Sequence, residues 1–333
     1  MTTGRELSQR SKKNLKKLGL HKIPFTTSPT EQGIERVFTG REDKLSRVLN
    51  LFHGDDPRRI LIYGHSGIGK TAFLFDVMLT LRKEYRKMLV TYISFPINCD
   101  LQTTALIALA RAMPDDRWAQ QKLNQMGIPT AKDLKETNFE VGATGVGVTG
   151  KVVQKELPTF NSQIPEISFD SLLERAKKTY SHGVLIIIDD LDRSNSTNVE
   201  QLISDAKIMF KGKSSFILAG ELVEIAPDLL TRKYVTFDDN FQLEEFNPKT
   251  TYKMLINYLN SARINNRNHN SVLPFAQETA MEFCRLSLGK PRRFNQLGIA
   301  VISRHWFSLI IRMKSLQDKD LTENTKLKKL FPS

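Results

Sequence analysis

The sequence predicts a three-layer α/β fold, a parallel sheet between helices followed by a small C-terminal helical lid, and three observations carry that expectation. First, Ile60 to Tyr63 form a short apolar, β-rich run and Gly64 to Gly69 make a turn. From Thr71 onward Phe73, Leu74, Val77, Met78 and Leu81 then recur at helical spacing. Second, Val184 to Ile188 is an unbroken run of branched residues ending in Asp189 and Asp190, the pattern of a strand buried on both faces. Third, the periodicity after Phe241 is helical. Asn247-Pro248 opens one helix running to about Ala262, Pro274 to Leu288 form a second, and Gly289-Lys-Pro-Arg-Arg293 leads into a third.

The turn carries the chemistry. Gly64, Gly69, Lys70 and Thr71 fill every fixed position of the G-x-x-x-x-G-K-[ST] pattern, between a strand and a helix as the mechanism requires. Glycines let backbone N–H groups point at phosphate oxygens, and the following helix adds its positive N-terminal end. Ser66 and Gly67 in the turn and Ala72 in the first helical turn complete the expected cofactor-binding set. Lys70 supplies a point charge to the β- and γ-phosphates, and Thr71 offers a hydroxyl to Mg²⁺. The expected ligands are therefore ATP and Mg²⁺.

Asp189, at the C-terminal end of its strand, is expected to sit beside this loop and help hold the metal. Asp190 follows where many ATPases place a glutamate that orients the attacking water. A shorter acid reaches less far, so slow turnover is expected. Two further strands are read at Leu89 to Phe95 and Ser214 to Gly220, and a short one at Val235 to Phe237.

With these motifs the chain resembles the additional-strand P-loop ATPases, the broad AAA+ and STAND group. Val37-Phe-Thr-Gly-Arg-Glu42 is similar to the "hhGRE" segment of origin-recognition, transposition and STAND ATPases. The resemblance implies that Gly40 and Arg41 line an adenine pocket. Leu20-His-Lys-Ile-Pro-Phe25 is similar to the lead-in of transposition-type ATPases, and Asp189-Asp-Leu-Asp-Arg193 to the Walker B signature of KAP-type NTPases. The strand at 214–220 ends in Ala219-Gly220-Glu221, where the family usually has a polar sensor. The resemblance also implies a trans-acting arginine finger, for which Arg232 is the candidate. It implies a lid sensor as well, with Arg292 the better match and Arg293 its alternative. An isolated surface arginine at 232 remains an open reading.

The 333 residues carry 49 Lys plus Arg against 36 Asp plus Glu, a net charge of +13. The excess lies at the ends. Residues 1–22 hold Arg5, Arg10, Lys12, Lys13, Lys16, Lys17 and Lys22 against Glu6 alone, and residues 285–333 are similarly basic. Cationic ends suit a phosphate backbone such as DNA; a solvated tail is the other reading. Two cysteines, Cys99 and Cys284, are too few for a disulfide framework and read as core fillers. No run approaches the roughly 20 apolar residues of a membrane span, and no secretory signal is visible, so a cytoplasmic location is expected.

The expected organisation is a basic arm over 1–33, an ATPase core over 34–241, a helical lid over 242–316 and a basic tail over 317–333. A glycine-rich hairpin inserted at about 138–155 is either a surface decoration or a protrusion toward DNA or a neighbouring subunit. The functional expectation is an ATP-dependent homo-oligomeric switch that binds DNA, of the transposition or replication-regulator type, with a transposase as a possible protein partner. The alternative is a STAND- or KAP-like signalling or defence ATPase acting through a partner effector protein.

Overall fold

In the computed structural model five strands form one all-parallel sheet: β1 (Arg59–Tyr63), β2 (Leu89–Ser94), β3 (Val184–Asp189), β4 (Ser215–Gly220) and β5 (Asp239–Gln242). The structure describes residues 12–27, 39–54, 56–96, 99–130, 164–191, 196–221, 237–264 and 271–304. Spatial order is β2-β3-β4-β1-β5, so β4 lies between the loop-bearing strand and the carboxylate-bearing strand. Composition follows position. Central β3 (Val-Leu-Ile-Ile-Ile-Asp) and β4 are buried at every residue, whereas edge strand β5 (Asp-Asn-Phe-Gln) buries only Phe241.

Helices of the sheet-bearing region are α1 (Glu42–Leu51), α2 (Lys70–Glu84), α3 (Leu101–Arg111), α4 (Arg117–Gln125), α5 (Ile164–Thr179), α6 (Ser196–Asp205) and α7 (Lys207–Lys211). Side chains cap α3 and α4: Asp100 accepts from the Thr103 amide at 2.7 Å and Asp116 from the Ala119 amide at 2.9 Å. One apolar core joins α3, α4 and α5 to the sheet through residues such as Phe95, Leu106, Leu109, Phe169, Leu172, Ile186 and Phe216. Side chains of α1 and α2 engage both edge strands. Arg82 donates to the Val90 carbonyl of β2 at 2.8 Å, and Lys44 and Arg47 of α1 engage the Gln242 carbonyl and the Asp239 carboxylate of β5.

The fifth strand departs from expectation. It lies at 239–242, beyond the stretch read as a strand at 235–237, of which residues 235 and 236 lie outside the described residues and Phe237 is in no strand. A polar edge strand buries one side chain in four, so its sequence carries little alternation to detect.

The chain divides into two compact units, residues 41–244 and residues 1–40 with 245–333. In the second unit α8 (Pro248–Asn260), α9 (Gln277–Leu286) and α10 (Pro291–Arg304) form a helical layer. Asn247 caps α8 by accepting from the Thr250 amide at 2.8 Å, with Pro248 in its first turn. The second helix is shorter than the 274–288 stretch read for it, because residues 272–276 make a turn before Gln277.

Residues 12–27 belong to this helical unit. A short helix at 12–17 turns Leu15 inward, Leu18 and Leu20 follow it into the core, and the backbones of His21 and Ile264 bridge the two segments. Phe25 stacks on Tyr258 at 5.9 Å and meets Phe294 edge-on at 5.6 Å. Gly298 of α10 makes room for that ring, since a Cβ there would overlap Phe25 carbon atoms. Gly298→Val is therefore expected to destabilise the helical unit by about 3 kcal/mol, because an aromatic ring held by Tyr258, Phe283 and Phe294 cannot yield. A melting temperature equal to wild type would contradict this packing.

Candidate functional site

β1 ends at Tyr63, and the chain turns through Gly64 to Gly69 before α2 begins at Lys70. Gly67 (φ 76°) and Gly69 (φ 93°) occupy the left-handed region that disfavours side chains. At Gly64 the constraint is space: a Cβ would stand 2.5 Å from the Leu243 carbonyl oxygen. Helix α2 follows Gly69 and so has no side-chain cap of the kind that Asp100, Asp116 and Asn247 give α3, α4 and α8. Lys70 Nζ donates to the loop's own carbonyls, Gly64 at 2.8 Å and His65 at 3.3 Å. His65 and Ser66 are exposed, Ile68 is buried, and Ala72 lies in the first turn of α2.

The sheet order brings the second motif to the loop. Thr71 Oγ1 donates to Asp189 Oδ2 at 2.6 Å, joining residues 118 positions apart. Tyr92 OH donates to the same oxygen at 3.1 Å, and the Asp190 amide donates to Asp189 Oδ1 at 2.8 Å. Asp189 is wholly buried. Burial first and the neighbouring Asp190 charge second push its carboxyl up to about 6, against the opposing pull of these three donors. Asp190 leaves the strand at φ 60°, and its Oδ2 accepts from Ser94 Oγ at 2.7 Å.

Tyr92 and Ser94 are the site residues that sequence reasoning missed. They stand two apart on β2 and so share a face, and the parallel register sets Ser94 beside Asp189. Tyr92, long enough to span two residues along the sheet, reaches the Asp189 carboxylate, while Ser94 bonds that of Asp190. The signal lay in their period, within a strand already recognised, but only the β2–β3 pairing gives it meaning.

Arg41, just ahead of α1, is 2% exposed. Its Nη2 donates to the Ile68 carbonyl of the loop at 2.8 Å and to the Glu244 carbonyl at 3.1 Å. Gly40 is at φ 84°, with no room for a Cβ beside Thr250. β4 ends at Gly220, buried and without a side chain, and Glu221 after it is exposed. Arg292 and Arg293 are exposed in the first turn of α10. Arg232 and the glycine-rich stretch at 138–155 lie outside the described residues. Burial pushes both thiols, Cys99 and Cys284, up to about 11, away from reactivity at neutral pH. Among the described residues no helix is long and apolar enough to cross a membrane.

A glycine loop between a strand and a helix, its threonine bonded to a carboxylate two strands away across an all-parallel sheet, defines a P-loop NTPase core with an additional strand. The chain belongs to the AAA ATPase domain family, whose model matches residues 37–205. It is an AAA+ P-loop ATPase by family and fold. Among solved structures it is similar to Orc1 of Aeropyrum pernix, determined in complex with DNA, with 14% identity over 87% of this chain and 68% of that chain and a TM-score of 0.49. It is also similar to Cdc6p of Pyrobaculum aerophilum, with 13% identity over 80% of this chain and 61% of that chain and a TM-score of 0.43. Domain III of the Thermotoga maritima replication initiation protein DnaA gives 13% identity over 83% of this chain and 89% of that chain, with a TM-score of 0.43. No match is found among curated proteins.

Proposed function

We propose that the chain binds ATP with Mg²⁺ in the Gly64–Thr71 loop, hydrolyses it slowly, and acts as an oligomeric switch whose helical unit holds DNA. The observation that carries the nucleotide part is the Thr71–Asp189 hydrogen bond beside an uncapped glycine loop. The residues fit the ligand: the loop excludes side chains where phosphate oxygens must approach backbone amides, and the donor set is hydroxyl and carboxylate, as a hard divalent cation requires. Lys70 would hold the β- and γ-phosphates. Thr71 and Asp189 would hold the cation, which when bound neutralises charge on the phosphate oxygens. Asp190, steadied by Ser94, would accept the proton of the attacking water. A bare glycine at the end of β4 and a short acid at 190 both favour slow turnover.

The DNA part rests on where charge falls relative to the fold. Residues 41–244 hold 26 basic and 27 acidic side chains, a net of −1, while the helical unit's residues hold 23 basic and 9 acidic, a net of +14. Lys12, Lys13, Lys16 and Lys17 are exposed on a helix whose Leu15 is buried, so these cations stand on a packed surface. A polyanion gains affinity there by releasing counterions. Filter binding of duplex DNA over a salt series is expected to show tight binding at low salt that falls steeply with ionic strength and rises with a non-hydrolysable ATP analogue. No binding at low salt removes the DNA part. Binding indifferent to nucleotide removes the switch, and the effector-recruiting ATPase then stands in its place.

A further inference from the structure

The resemblance to "hhGRE" ATPases assigns Arg41 to an adenine pocket, but its hydrogen bonds lead elsewhere. Its guanidinium is buried, with one nitrogen donating to two main-chain carbonyls, Ile68 at 2.8 Å and Glu244 at 3.1 Å. Ile68 is the residue before Gly69, the last glycine of the phosphate loop. A trans peptide unit is planar, and its C=O and N–H point in opposite directions. Holding the Ile68 carbonyl toward Arg41 therefore turns the Gly69 N–H the other way.

The anchor at the far end is itself tied to the start of the loop. Glu244 follows Leu243, whose amide donates to the Tyr63 carbonyl at 2.7 Å, and the Leu243 carbonyl closes on Gly64. Both ends of the loop thus rest on one wall, residues 243–244. Gly64 abuts it directly, and Ile68 is tied to it through Arg41. Gly69 itself is left-handed, a conformation that a free glycine exchanges with several others.

We infer that Arg41 is a positioning residue for the phosphate loop: it fixes the 68–69 peptide so that the Gly69 amide faces the bound phosphates. The inference rests on the loop being the nucleotide site. It differs from the adenine-pocket reading in one measurable respect, because a residue that acts through the loop matters equally to a ligand without a base.

The test is titration calorimetry of the full chain with ATP and with inorganic tripolyphosphate, both with Mg²⁺, for wild type and Arg41→Met, which keeps an unbranched apolar stem and removes the guanidinium. A misdirected amide forfeits one hydrogen bond to a charged group, so both ligands are expected to weaken about tenfold and by the same factor. Loss confined to ATP, with tripolyphosphate bound as in wild type, overturns the proposal in favour of a base contact. Unchanged affinity for both also overturns it. If Arg41→Met melts below the assay temperature, Arg41→Lys, which keeps charge and a donor, is judged by the same comparison. Wild-type protein that binds neither ligand overturns the nucleotide reading itself, a result distinct from any difference between variants.

Discussion

Lys70→Ala is expected to weaken ATP binding by about a hundredfold or more in calorimetric titration. At about 4 Å from a phosphate charge, and at the effective dielectric of a partly buried site, one ammonium contributes about 4 kcal/mol before solvent screening is discounted. A factor of a hundred corresponds to about 2.7 kcal/mol, so the estimate already allows for that discount. The ammonium rests on the Gly64 and His65 carbonyls and takes no part in the apolar core. The variant should therefore melt within a degree or two of wild type. Wild-type affinity in a folded Lys70→Ala protein would refute the assignment of the loop.

Asp189→Asn should separate function from stability in opposite directions. Without its carboxylate the site loses the negative charge that would help Thr71 hold the cation, and ATP turnover is expected to fall by about a hundredfold or more. Stability should rise. The folded protein holds the Asp189 proton up to about pH 6, whereas an unfolded chain releases it near 3.8. Between those values the folded state binds more protons, so raising the pH removes stability, and above about 6 the whole cost is present, about 3 kcal/mol. An amide avoids that cost. Its oxygen can still accept from the Asp190 N–H, and the Thr71 and Tyr92 hydroxyls can rotate to accept from its NH₂. Melting curves should show Asp189→Asn above wild type at pH 7.5, with the gap closing toward pH 4. A variant less stable than wild type at pH 7.5 would mean that the carboxylate's hydrogen bonds outweigh its desolvation.

What the sequence disclosed, and what it withheld, divides by the range of the interaction. Gly64 to Thr71 could be read because a strand, a glycine turn and a helix are contiguous, and Asp189 because its strand is buried on both faces and shows it in composition. Tyr92, Ser94 and the main-chain engagement of Arg41 were not legible. Each depends on a partner 27 to 203 positions away, brought close by strand order rather than by spacing. The edge strand at 239–242 was missed for the opposite reason: it is local but polar, and an edge needs little apolar surface. The lead-in at 20–25 could be recognised as a motif. Its destination, a pocket opened by Gly298, could not.

That destination bears on how the polypeptide is made. The Thr26 amide bonds the Asn295 side chain across 269 positions, and Leu15, Leu18, Leu20 and Phe25 share one apolar cluster with side chains of the 246–302 stretch. The sheet-bearing region, residues 41–244, is one uninterrupted stretch and can close on itself, whereas the segment at 12–27 gains its packing once the chain beyond residue 250 is made, so the helical unit is the slower of the two to form.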